Sequence, residues 1–501
     1  MKITGRQIAK GAAWMVLFKF TERGLGLIST IILARLLIPQ DFGVVAMAMS
    51  VIAVLELMGA FSFDVALIQN ANAGRDHYDT AWTFNVLFAL ASALLLVVLA
   101  LPMAIFYAEP RLEYVMYWLA VGMAVQGFEN IGVVAFRKDM RFDKEFKFLF
   151  GKKISSFAVT VPLAFILQDY WALVIGTLTG RLAGTLLSYL VHEYRPRFSL
   201  AARSELFHFS KWMFFNNIAA FFRYRSADFI VGRFGGPHAL GLFSVAYEIS
   251  NLPTTELVAP INRAVFPGYA KMSNDVAELR QGYLNVAALI ALLSLPAAFG
   301  IAVIAPLLVP VFLGDHWLET IPLIQILAVF GALVAIQNNN GSALLALGKP
   351  QVVTGLAALS GILFLPMLIV LTMWYGVMGA AWANLIVVLV MIPINYVFIF
   401  RALNMRTSHI VREIWRPIVA TAVMTAAIQW YVVEIVAATN IGMQIAHLIV
   451  SIVIGLITYP VASLALWQFS GRPPGAEQHV LDYLRRYLAK RRAVNSADRT
   501  Q

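Results

Sequence analysis

The chain has no cysteine in 501 residues, which removes disulfides, thiolate nucleophiles and cysteine-held metals from consideration. It is also short of charge: Asp, Glu, Lys and Arg make up 13% of residues, where soluble domains carry about 25%. No GxxxxGK[ST] phosphate loop is present, no D-x-D stands between apolar segments, and the eight histidines show no paired ligand spacing. A polysaccharide polymerase, ligase or glycosyltransferase needs a soluble face carrying such groups, so neither an enzyme nor a bound cofactor is expected. No cleavable leader is expected either, because the first apolar run is too long and carries Lys19, Glu22 and Arg23.

What the chain does have is apolar length. It is 60% hydrophobic, with a mean hydropathy of +0.76. Runs of roughly 20 apolar residues recur, enough to cross a bilayer as helices. They lack the alternation of barrel strands, and a membrane chain must satisfy its backbone internally, so helices are predicted. Fourteen spans are expected: near 12–34, 42–66, 80–106, 114–135, 150–168, 170–191, 209–231, 240–265, 284–312, 320–346, 352–373, 376–400, 416–437 and 441–468.

Charge placement tests that number. With the N-terminus inside, the inner segments hold 29 of the 38 Lys and Arg, whereas the outer ones hold only Arg35, Arg111 and Arg233. This is the asymmetry of the positive-inside rule, and an even number of spans puts both termini in the cytosol. The net charge of +11 is accordingly read as inner loops rather than as a nucleic-acid surface. The longest inner connection, Arg137–Lys153, is expected to lie as an amphipathic segment against anionic lipid. After a Gly/Pro break at Gly471, apolar residues at helical spacing among Arg485, Arg486 and Lys490–Arg492 predict an interfacial helix.

The chain also repeats. A shift of 198 residues lays Trp14, Met15, Ile32, Arg35, Pro39, Gly43 and Ala48 onto Trp212, Met213, Ile230, Arg233, Pro237, Gly241 and Ala246. Arg, Pro and Gly thus recur at the same turn between two long apolar segments, which points to two related bundles. Residues 1–200 and 201–400 are read as these bundles, 401–470 as two additional spans, and 471–501 as a basic amphipathic cytosolic tail.

Charges inside spans carry the functional signal. Lys19, Arg23, Arg181, Arg223, Arg225 and Arg263 fall within or at the ends of spans, where a mid-bilayer charge costs about 2.5–3.5 kcal/mol and normally faces a bundle interior or a wet cavity. Lys19 and Arg23 share one helix face, as do Arg225 and Asp228. A surplus of guanidinium suits a phosphate or diphosphate, which Arg grips bidentately. Internal ion pairs that only tie helices together are the plain alternative. Glu56, Asp64, Asp228, Glu248 and Glu256 are candidates for coupling to a proton or sodium gradient. Pro253 and Pro260 are candidate hinges. The run Gln337–Asn340 could hydrogen-bond sugars or bind neighbouring helices.

The turn A-R-L-L-I-P-Q-D-F-G at Ala34–Gly43 and the segment E-N-I-G-V-V-A-F-R-K-D-M-R-F at Glu129–Phe142, with fourteen spans in two halves, resemble the oligosaccharide flippase family, colanic-acid-type exporters in particular. The resemblance implies an all-α membrane protein of two pseudo-symmetric bundles forming a V-shaped transporter around a central cationic cavity. It implies alternating access driven by an ion gradient or membrane potential, in the bacterial inner membrane. The implied substrate is an undecaprenyl-diphosphate-linked oligosaccharide destined for exopolysaccharide, capsule or lipopolysaccharide. Polysaccharide polymerase and other assembly proteins are the implied partners, beside the anionic lipids expected at Arg137–Lys153. A peptidoglycan-precursor flippase and an ion-coupled multidrug exporter share the architecture; the second would carry a cavity richer in carboxylates and aromatics.

Overall fold

A computed structural model describes residues 5–59, 63–70, 72–433, 440–473 and 475–478, with side chains excepted at 5–20, 57–59, 65, 69, 205–225, 263 and 433. Among the described residues the regular structure is helical. In order the helices are α1 (Gly5–Leu36), α2 (Pro39–Gly59), α3 (Phe63–Gln69), α4 (Arg75–Tyr107), α5 (Arg111–Gly127), α6 (Val134–Lys138), α7 (Phe142–Leu167) and α8 (Trp171–Val191). There follow α9 (Arg203–Ser250), a π-helical stretch at Pro253–Val258, α10 (Ala259–Met272), α11 (Val276–Phe312), α12 (Thr320–Ala346), α13 (Pro350–Ala402), α14 (Thr407–Val433) and α15 (Ile441–Phe469).

Among the described residues eight helices are each long and apolar enough to cross a membrane, and α5 joined to α6 through a 65° bend makes up to a ninth. The protein is therefore a multi-pass membrane protein. Helix α9 is interrupted at Gly236 (φ 73°) and α13 at Gly376 (φ 57°), a region that glycine enters without strain. Divided there, described helices overlap each of the fourteen expected spans, though the one over 240–265 is split among the end of α9, the π-helical stretch and α10. The break at Gly236 precedes Pro237 and is the counterpart of the α1–α2 turn before Pro39, as the repeat requires.

Two further expectations about continuity are corrected. The span expected over 42–66 ends at Gly59, and Phe63–Gln69 is a separate short helix. The span over 114–135 breaks after Gly127. A Cβ on Gly127 would fall 2.3 Å from that of Ala89, so α5 presses on α4 to its last residue. Asn130 then starts a 3-10 turn, its Oδ1 accepting from the Gly132 N–H at 2.9 Å.

The chain forms two compact units, one of residues 1–244 with 312–317 and one of residues 245–311 with 318–501. In the first unit small residues let backbones approach, which is how helices associate where lipid supplies no hydrophobic drive. Gly176, Gly180 and Gly184 line one face of α8, lying against Thr160, Ser156 and Lys152 of α7. Helices α4 and α8 run the length of this unit and define its ends. At one end, Asp79 accepts from the Tyr194 hydroxyl at 2.7 Å and the Arg197 N–H at 2.9 Å. Arg75 donates to the Arg195 carbonyl at 3.2 Å, and Lys138 to that of Asn70 at 2.9 Å. At the other end, Arg111 pairs with Glu109 at 2.8 Å and lies over Tyr170, while Arg233 lies over Phe106. The Arg111 guanidinium holds the Glu109 carboxyl below its ordinary range. Trp317 donates to the Ala34 carbonyl at 2.8 Å. The segments expected inside thus share one end, and those expected outside share the other.

In the second unit the π-helical stretch packs on α12, where the Thr254 hydroxyl donates to the Gly331 carbonyl at 3.0 Å. The run Gln337–Asn340 binds helices together. The hydroxyls of Tyr269 and Tyr283 donate to Asn339 at 2.9 Å and Asn340 at 2.6 Å, and the Asn395 amide to Gln337 at 2.6 Å. The start of the tail is docked: Ala476 is buried with Ala288 and Leu292. Glu477 accepts two bonds from Arg416, at 2.7 and 3.2 Å. The basic helix expected beyond residue 478 lies outside the described residues.

Candidate functional site

Of the six basic residues expected to line a cationic cavity, the side chains of Lys19, Arg223, Arg225 and Arg263 lie outside those described. Arg23 is half-buried on α1. Arg181, on α8, is 8% exposed, and its stem crosses Gly122 of α5, where a Cβ would come within 3.2 Å of its Cδ. One guanidinium nitrogen reaches Glu56 of α2 at 3.4 Å. A second, Nη1, is buried with no hydrogen-bond partner among the described residues.

Of the five candidate coupling carboxylates, Glu56 and Asp64 meet at one cavity. Asp228 and Glu248 are half-buried at separate positions on α9. Glu256 is exposed in the π-helical stretch beside Thr255, whose hydroxyl it accepts at 3.0 Å.

The cavity lies within the first unit, among α2 to α7, and measures about 470 Å³. Glu56, Asp64, Glu129, Glu145, Arg137 and Lys152 line it. Arg137 bridges two of the carboxylates, its Nε donating to Glu145 and its Nη1 lying 3.5 Å from Asp64. Lys152 donates to Glu129 at 3.0 Å. Its stem lies along Gly184, where a Cβ would approach to 2.8 Å. Glu145 is the most deeply buried of the four acids, at 4% exposed, and its Oε2 has no partner among the described residues. Asn85, Ser92 and Gln126 add neutral polar groups, and Phe88 and Phe148 add ring surface.

Local sequence explains this convergence. The break after Gly127 carries Glu129 out of the α5 axis and into the cavity. Glu145, Phe148 and Lys152 follow at intervals of three and four residues on α7, which puts them on one helix face. That spacing was legible, yet the basic run around it favoured a surface segment. The structure gives the segment two faces: α7 begins at Phe142, and Arg137, Glu145 and Lys152 form ion pairs at the cavity, while Arg141, Lys147 and Lys153 stay exposed.

The polysaccharide biosynthesis protein family matches residues 32–322. Lipopolysaccharide biosynthesis protein WzxC of Escherichia coli (strain K12) is 23% identical over 416 residues, covering 81% of this chain and 84% of that protein. Succinoglycan biosynthesis transport protein ExoT of Rhizobium meliloti (strain 1021) is 25% identical over 329 residues, covering 65% and 67%. Among solved structures, the lipid II flippase MurJ in an inward closed conformation superposes with a TM-score of 0.73 at 14% identity, over 91% of this chain and 99% of that one.

Proposed function

This chain belongs to the polysaccharide biosynthesis protein family, and on that premise we propose that it is a flippase for a lipid-linked oligosaccharide. It carries an undecaprenyl-diphosphate-linked glycan from the cytosolic to the outer leaflet of the bacterial inner membrane, for exopolysaccharide, capsule or lipopolysaccharide. The observation that carries this reading is a multi-span helical chain of that family with basic residues set inside its spans. Relatives named for lipopolysaccharide biosynthesis and succinoglycan transport support the substrate class.

A diphosphate needs guanidinium or ammonium groups in a low-dielectric path, where charge-assisted hydrogen bonds are strong. Arg23, Arg223 and Arg225 are assigned that role, with Lys19 and Arg263 flanking them. Arg181, already facing Glu56, is assigned to structure. Glu248 and Glu256, on either side of Pro253, are the carboxylates placed to couple an ion to helix bending, since π-helical turns concentrate at functional sites. Both termini are placed in the cytosol.

The test is leaflet crossing in liposomes, with undecaprenyl-diphosphate carrying either an oligosaccharide or a single sugar. Crossing of the oligosaccharide lipid is expected, reduced at least about tenfold in Arg223→Ala and Arg225→Ala, the equivalent of one lost charge-assisted bond. Unchanged crossing in both variants would overturn the diphosphate assignment. No crossing by the wild-type protein, with or without a proton or sodium gradient, would overturn the flippase reading.

A further inference from the structure

The cavity of the first unit is not needed by the diphosphate reading, and its chemistry differs. Its cationic groups are already committed: Arg137 to Glu145 and Asp64, Lys152 to Glu129. What remains is acceptor capacity, concentrated at Glu145 Oε2, which is buried with no partner among the described residues. A ligand that supplies only acceptors, such as a phosphate, would have to break those pairs to bind. A ligand that brings donors would complete the site, because a buried polar atom without a partner costs about 1–3 kcal/mol.

The lining narrows the class further. Carboxylates stand beside the amides of Asn85 and Gln126 and the Ser92 hydroxyl, with Phe88 and Phe148 as apolar walls. Neighbouring hydroxyls on a ring can donate to a carboxylate and accept from an amide while the ring's C–H face rests on aromatic surface. The volume of about 470 Å³ lies in the range of small-molecule sites. A dehydrated metal ion fits less well. Among the described residues no three acidic or histidine side chains converge closely enough to hold one.

We propose that this cavity is a saccharide subsite, taking a neutral sugar unit whose hydroxyls donate to Glu145 and its neighbouring carboxylates. The site discriminates by charge as well. Four carboxylates face Arg137, Lys152 and, through Glu56, Arg181, so the cavity rejects an acidic sugar. The proposal goes beyond the flippase reading and stands on the cavity itself. Failure to bind sugar would leave that reading intact, and failure of leaflet crossing would leave this one intact.

The experiment is saturation-transfer NMR on the full-length protein in detergent, with D-glucose, D-galactose, N-acetyl-D-glucosamine and D-glucuronate as free probes. At least one neutral sugar is expected to receive saturation at millimolar concentration, with glucuronate weaker by about tenfold through like-charge repulsion. Glu145→Gln and Asn85→Leu should each abolish the signal. Asn85→Leu serves alone if Glu145→Gln, by stranding Arg137, fails to fold. Thermal midpoints within a few degrees of wild type would show that loss of signal is loss of the site. Absence of transfer to every neutral sugar, a signal that survives in folded variants, or equal transfer to glucuronate would overturn the proposal. So would protection from thermal unfolding by NaCl over choline chloride that Glu145→Gln removes, with no sugar signal, since that outcome marks a cation site.

Discussion

Two hydrogen atoms decide whether the repeated turns can meet. A Cβ on Gly43 would lie 1.7 Å from the Pro237 carbonyl oxygen, and one on Gly241 would lie 1.8 Å from that of Pro39. The contact is reciprocal, the glycine of each repeated turn meeting the proline of the other, so the repeat seen in the sequence is a contact in three dimensions. Backbone rather than a flexible side chain stands in the way, so neither glycine tolerates a methyl group without helix displacement. Gly43→Ala and Gly241→Ala should each destabilise by about 1–3 kcal/mol, the usual cost of overpacking, lowering the thermal midpoint in detergent. Gly26→Ala on α1 is the control, because a Cβ there meets nothing within 4 Å. It should be neutral or stabilising by up to about 1 kcal/mol, since alanine is the better helix former. Equal midpoints for all three variants would refute the packing argument. The sequence made Pro39 and Gly43 conspicuous by recurrence, but periodicity within one segment carries no information about which distant segment it touches.

At the scale of elements, the spans were readable because hydropathy over 20 residues records the bilayer directly. The breaks within them were not. Gly127 ends α5 because Ala89 of another helix lies beneath it, and Glu145 turns inward because Arg137 lies eight residues earlier across a loop. Both causes are tertiary. The tail shows the same limit. Its first residues read as a Gly/Pro break, yet Gly475, Ala476 and Glu477 are buried, and the Trp467 indole donates to the Pro473 carbonyl at 3.0 Å. Arg416 and Glu477 are 2% and 4% exposed, so each neutralises a charge that could not otherwise be buried. Glu477→Gln should therefore cost up to about 3–5 kcal/mol, since Arg416 would keep only Glu413, 3.9 Å away, as a counter-charge, whereas the double change Arg416→Met, Glu477→Leu should restore most of that stability. A thermal-unfolding cycle over the four proteins checks this. If the single and double variants unfold at the same temperature, the pair does not anchor the tail.

For the whole molecule, the asymmetry of Lys and Arg specified which segments share a side before any coordinates, and the first unit gathers them accordingly. Arg75, Lys138 and Arg195 meet at one end, and Glu109, Arg111 and Ala34 with Trp317 meet at the other. The candidate site was less legible. Its carboxylates Glu56 and Asp64 stood out as charges in apolar runs, but their partners sit in a basic loop whose composition resembles any inner loop. The residue-level geometry also leaves one global prediction open to direct measurement, namely which end faces the cytosol. Because the chain lacks cysteine, single thiols can be introduced without background. Asp139 and Asp315 are both exposed, the first following α6 at the Arg75 end and the second in the turn that carries Trp317 at the other. In intact cells with a permeable outer barrier, a membrane-impermeant maleimide should label Asp315→Cys and spare Asp139→Cys, with the pattern reversed in inside-out vesicles. Moving the charge surplus outward would place about 29 cationic side chains on the side that the insertion machinery disfavours. The opposite labelling would therefore overturn the orientation and the cytosolic loading of substrate, and labelling of both thiols from one side would overturn the odd number of spans expected between them.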